Sequence, residues 1–137
     1  MDQTTTRSVT ALLDGEPYRT QLLSRGHEWI SDEPEDHGGA DLGPRPHELM
    51  LGALASCTAI TLRMYADRKQ WSIGPIRITT TMERTQRGAE VETRISVDVQ
   101  LDASVPEEQR QRLAVIARSC PVHRTLENPI HLRASVV

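Results

Sequence analysis

The chain holds two cysteines, Cys57 and Cys120, and each stands in a setting that can do chemistry. Cys120 lies in "ARSCPVHRTLENP", Ala117 to Pro129, with Pro121 directly after it and His123 two residues beyond the proline. A residue ahead of proline avoids the helical region. A helix running into this stretch should therefore stop near Ser119, and Pro121 can open a new short helix over "PVHRTLEN". Cys120 then sits near the N-cap, where free backbone N–H groups and the positive dipole end favour a thiolate. His123 and Arg124 add to that effect if either points inward. A small buried residue at a helix junction fits the same letters, and the local sequence leaves both readings open.

Cys57 differs. It lies mid-helix on an apolar face, where burial raises a thiol's pKa. It becomes reactive only if a cation or a donor reaches it. Candidates are Arg19, Arg25 and Arg45 upstream, or His47 and Glu48 at the start of the same helix. Two cysteines without a CxxC motif make no disulfide framework, so two free thiols or a redox couple remain. A metal is a third chemistry. Cys120 and His123 form a C-x-x-H pair that Cys57 could extend, but a structural zinc site wants four ligands and no fourth presents itself. No metal and no cofactor is expected.

The elements that must position these residues follow from periodicity and turn chemistry. "SVTALLD" and "GEPYRTQLL" read as strands around the turn letters "DGEP", with "HEWIS" as a third strand. Residues 32–46, "DEPEDHGGADLGPRP", are a Gly-, Pro- and Asp-rich connector. It is long enough to be functional, and equally readable as a mobile acidic surface loop. Residues 47–69 form the clearest helix. Met50, Ala53, Leu54, Cys57, Ile60 and Met64 recur on one face, and the other faces are nearly as apolar up to Thr61. Such a helix is expected to be central and buried.

"IRITTTM" and "VETRISVDVQL" read as a hairpin turning at Gly88, with Val91, Thr93, Ile95, Val97, Val99 and Leu101 facing inward. "SVPEEQRQRLAVIARS" is a second helix. Ser104 and Glu107 fit a capping box there, and Leu113, Ile116 and Ala117 form its core stripe. "NPIHLRASVV" is expected to close the chain as a strand. The order predicts an α+β fold with helices on one side of an antiparallel sheet. His27, His37 and His131 read as surface or strand residues, and Trp29 and Trp71 as packing residues.

The 137 residues suit one domain, 1–137. With no Phe, the core must be aliphatic. A net charge of -3 without a basic block makes nucleic acid a poor partner. "MDQTTTRSVT" lacks the order of a secretory signal, and "LMLGALASCTAI" is too short to span a bilayer. A cytoplasmic protein without a membrane partner is expected.

"GPRPHELMLGALASCTAITLRMYA", followed about sixty residues later by "CPVHRTLE", resembles the OsmC/Ohr superfamily. With the loop ahead of the helix it is closer to the OsmC-like redox proteins than to Ohr itself. The resemblance covers roughly residues 20–137. It implies an intertwined homodimer, with a sheet wrapped around long central helices and active sites at the dimer interface. It also implies that Cys57 attacks the O–O bond of an organic hydroperoxide and becomes a sulfenic acid. Cys120 would then attack that sulfenic acid to form a disulfide, which a dithiol donor such as a lipoylated protein reduces.

Arg45-Pro46-His47 stands where the peroxidases carry Asn-Pro-Glu, so His47 takes the family glutamate's position and Glu48 follows it. At about 100° per residue, His47 lies roughly 80° around the helix from Cys57, and Glu48 nearly opposite. Arg25 is the best match to the family arginine. A non-catalytic protein on the same fold, binding a hydrophobic small molecule or sensing redox state, is the alternative.

Overall fold

The computed structural model describes residues 2–137 and divides into two compact units, one ending at Met50 and one spanning Leu51–Val137. The α+β class expected from the sequence holds, with the strands shared between two antiparallel sheets.

The first unit carries β1 (Thr10–Leu12), β2 (Thr20–Ser24) and β3 (His27–Ser31), paired in that order. The β2–β3 turn is Arg25-Gly26, with φ of 51° and 82°. Two left-handed residues in succession give the turn twist that suits a two-residue hairpin. They also place Arg25 at the turn tip.

The connector that follows is not a loose acidic loop. Asp32 is buried, and its Oδ1 accepts the Glu33 N–H at 2.7 Å. Its Oδ2 accepts the N–H groups of Ala40 (3.3 Å) and Leu42 (3.1 Å). Ser31 and Asp32 in turn donate to the Pro44 carbonyl. A Cβ at Gly39 would run into the Glu33 carbonyl, and one at Gly43 into the Ile30 carbonyl. The glycines are therefore required by close backbone approach.

Burial alone pushes the Asp32 carboxyl up, but three backbone donors and the charge of Arg19 outweigh it and hold it below the ordinary range. A depressed folded pKa stabilises fully above the unfolded value of about 3.9 and is lost as pH falls through the lower folded value. Asp32→Ala is expected to speed limited proteolysis within residues 32–45 severalfold at neutral pH. An unchanged cleavage rate would show that the loop holds without the carboxylate.

The long helix α1 (Pro46–Arg68) begins with proline in its first position. Glu48 reaches back to accept the Arg45 N–H at 2.8 Å, the return half of a capping box. The helix ends where Gln70 turns left-handed (φ 59°) and the Trp71 N–H bonds the Ala66 carbonyl at 2.8 Å. α1 lies within one residue of the expected 47–69 helix at each end, and by length and composition alone it could cross a membrane. One stripe of it nevertheless builds the core of the second unit.

That stripe is not the expected one. Leu54, Thr58, Leu62 and Ala66 are buried, while Ile60 and Met64 are 54% and 62% exposed. Where several faces are apolar, periodicity cannot choose among them; the packing surface does. Here that surface comes from β4 (Ile76–Arg87), β5 (Glu90–Leu101) and α2 (Glu107–Ala117). Leu62, Ala66, Ile73, Val105 and Leu113 form the centre, with Trp71, Ile78, Val99 and Ile116 packed around it. Tyr65 meets Trp71 edge to face at 5.6 Å and accepts a hydrogen bond from Arg112 Nε at 2.9 Å.

The β4–β5 hairpin turns at Gly88 (φ 61°), as expected. Its inward alternation is half-buried only from Ile95 onward, and Val91 is exposed because the hairpin tip outreaches the body it packs on. Two expectations fail. Ser104 does not cap α2: its N–H and hydroxyl both donate to Asp102 Oδ1, and Pro106 takes the cap position with no side-chain bond. Residues 129–137 form no strand. A strand needs a partner's free edge, and among the described residues none pairs with this exposed tail.

Candidate functional site

The short helix α3 (Pro121–Glu127) begins where proline chemistry places it, with Cys120 at the N-cap in extended conformation. The Cys120 sulfur accepts the His123 N–H at 3.3 Å. The Cys57 sulfur accepts the Val122 N–H at 3.5 Å. Two adjacent backbone donors of one turn thus serve two thiols that lie far apart in sequence. The thiols are near enough for Cys120 to act on the ionisation of Cys57. Both are free cysteines, Cys57 half-buried and Cys120 fully buried.

Burial pushes the Cys57 thiol up. The Val122 N–H pulls it down, the Cys120 thiol pushes it up again, and the Thr61 hydroxyl pulls it down. The upward influences win, so Cys57 rests as a thiol at neutral pH. This follows from the α1 position that the sequence flagged: apolar on its own face, with only weak neutral donors in reach.

The remaining sequence candidates occupy other settings. His47 is exposed in the first turn of α1, and the exposed Glu48 is committed to the Arg45 backbone. Arg45 pairs with Glu33 through Nε–Oε1 at 3.2 Å. His123 contributes its main-chain N–H to the site, while its ring pairs with Glu127 (Nε2–Oε1 3.3 Å). Among the described residues no three or more His, Cys, Asp and Glu gather as a metal site.

Thr58 and Val122 were not flagged by sequence reasoning. Thr58 is fully buried beside Cys120, its Oγ1 3.7 Å from the sulfur. A polar residue interrupting the apolar run directly after Cys57 was the available signal. Val122 acts through its backbone alone, which no side-chain pattern can announce.

The profile of the OsmC-like protein family matches residues 38–135, a span that includes both thiols. The chain belongs to the OsmC-like family. Solved structures carry the same fold. An OsmC-like protein from Mycoplasma pneumoniae superposes with a TM-score of 0.78 at 20% identity, over 91% of this chain and 89% of that one. An organic hydroperoxide resistance protein from Legionella pneumophila gives 0.68 at 15% identity, over 91% of each chain. OhrB of Bacillus subtilis, also an organic hydroperoxide resistance protein, gives 0.63 at 20%, over 88% of this chain and 90% of its own. At these identities the likeness is one of fold. No curated protein sequence is similar enough to register as a relative. Placement in the OsmC/Ohr superfamily therefore rests on the profile together with the fold.

Proposed function

We propose that this OsmC-like chain is a thiol-dependent peroxidase that reduces organic hydroperoxides, acting as a cytoplasmic homodimer. The observation that carries the reading is the convergence of Cys57 and Cys120 on successive N–H groups at the start of α3. Two thiols held by adjacent donors of one turn support a peroxidatic and a resolving role better than two independent packing roles.

In this reading the Cys57 thiolate attacks the terminal peroxide oxygen. The O–O bond breaks, the alcohol leaves with a proton, and Cys57 becomes a sulfenic acid. The Cys120 thiol then displaces hydroxide from that sulfur, giving a Cys57–Cys120 disulfide and water. An external dithiol, of the kind a lipoylated protein carries, restores both thiols by exchange. Glu48 contributes by fixing the first turn of α1 through Arg45. His47 is exposed in that turn.

The raised Cys57 thiol favours one other reading: an OsmC-like protein that binds a hydrophobic small molecule or senses redox state without turning over. One experiment separates the two. Reduced protein is treated with one equivalent of cumene hydroperoxide and examined by mass spectrometry. The peroxidase reading expects the wild type to lose two hydrogens. Cys120→Ser should gather sulfenic or higher acids at Cys57, and Cys57→Ser should be unchanged. Thiols that stay inert over minutes in the wild type sink the peroxidase reading and leave the binding one.

A further inference from the structure

Thr58 has no role in the chemistry just described, yet its hydroxyl is placed to act on Cys120. The residue follows Cys57 directly on α1 and is 0% exposed. A hydroxyl has a single proton to give. That of Thr58 lies 2.8 Å from the Leu54 carbonyl one turn back, the shorter and stronger of its two contacts. The same hydroxyl stands 3.7 Å from the Cys120 sulfur, where it makes the second, weaker contact.

The same sulfur accepts the His123 N–H at 3.3 Å. The Cys120 sulfur is thus held by two groups of the protein, the Thr58 hydroxyl and the His123 N–H. Cys57 is held on the adjacent donor of the same turn, its sulfur accepting the Val122 N–H at 3.5 Å. A thiol that is fully buried and held on two sides has little freedom to turn elsewhere.

We propose that Thr58 is a positioning residue for the resolving step: its hydroxyl, in contact with the Cys120 sulfur, holds that sulfur in place to attack Cys57. The claim rests on the reading of Cys57 as the peroxidatic thiol. In the step concerned, Cys57–SOH and Cys120–SH become the disulfide and water. The S–O bond breaks and the S–S bond forms. The sulfenic sulfur is reduced, the Cys120 sulfur is oxidised, and the Cys120 proton leaves with hydroxide as water. No further oxidant is needed.

The test compares wild type, Thr58→Val, which keeps the shape but not the hydroxyl, and Thr58→Ser, which keeps the hydroxyl. Each is mixed with cumene hydroperoxide in a single turnover. Peroxide loss reports the first step, and acid-quenched mass spectrometry of the disulfide reports the second. Small misplacements of reacting groups cost roughly tenfold to a hundredfold in rate. Thr58→Val is therefore expected to slow disulfide closure relative to peroxide loss by at least about tenfold. Dimedone should trap sulfenic acid at Cys57 in that variant, and Thr58→Ser should restore closure.

A Thr58→Val protein with the wild-type ratio of the two rates overturns the proposal. So does a Thr58→Ser protein as slow as Thr58→Val, since that result assigns Thr58 to packing alone. Thr58→Ala replaces Thr58→Val if the latter does not fold. A wild type that yields no sulfenic acid fails the peroxidase reading instead. Thr58 is then judged on diamide oxidation, where closure as fast in Thr58→Val as in wild type overturns its role and slower closure rescued by Thr58→Ser upholds it.

Discussion

Alkylation of Cys57 by iodoacetamide is expected to quicken about tenfold for each pH unit from about pH 6, and to keep rising beyond about pH 8.5, where an ordinary cysteine levels off. Only the thiolate reacts, so the rate tracks its fraction until the pH passes the folded pKa. Burial and the neighbouring Cys120 thiol raise that pKa against the opposing pull of the Val122 N–H and the Thr61 hydroxyl. The peroxide reaction proposed for the same sulfur should follow the same profile.

The sign can be checked by removing one cause. Cys120→Ala abolishes the thiol that pushes Cys57 up and leaves the burial in place, so its profile should move to lower pH without reaching ordinary behaviour. Mass spectrometry of the Cys57 peptide reads both profiles. A wild-type plateau below about pH 7.5, under the ordinary thiol value, would mean that a cation reaches Cys57 in solution and overrides the contacts within its own unit. Arg19, Arg25 and Arg45 would then be the first to substitute.

The two thiols differ in how far the sequence could speak for them. The start of α3 was legible because proline restricts the residue before it and suits a helix's first turn, so Cys120-Pro121 defines a boundary by covalent geometry. The convergence of Cys57 and Cys120 on one turn was legible only through family resemblance, since it depends on how α1 and α3 pack. Asp32 was hidden in an acidic stretch that looked solvated. What fixes it is a set of three backbone donors, and backbone donors leave no trace in residue type. Thr58 was hidden for the opposite reason: one hydroxyl in an apolar helix reads as filler until a sulfur is found beside it. The terminal strand failed because alternation of Ile130, Leu132 and Ala134 describes a willing strand but cannot supply the edge it needs.

The apolar surround of α1 is where pattern was least able to decide, and it sets up the largest expected effect on stability. Leu62 is 0% exposed and packs with Ala66, Ile73, Val105 and Leu113. Leu62→Ala removes buried methyl groups and leaves a cavity among neighbours on two helices and a hairpin, which is expected to cost about 3 kcal/mol. Ile60 stands two residues away and 54% exposed, so Ile60→Ala should cost less than about 1 kcal/mol in an isolated chain. Urea denaturation at several protein concentrations measures both. A Leu62→Ala cost below about 1 kcal/mol would contradict the buried stripe described here, because a filled core position cannot be emptied so cheaply. A large cost at Ile60 has a different meaning, since its own chain leaves more than half of it exposed. If that cost grows with protein concentration, a second copy covers the outer face of α1, as the proposed homodimer requires. If Ile60→Ala is nearly neutral at every concentration, that face stays open to solvent and the homodimer must use another surface.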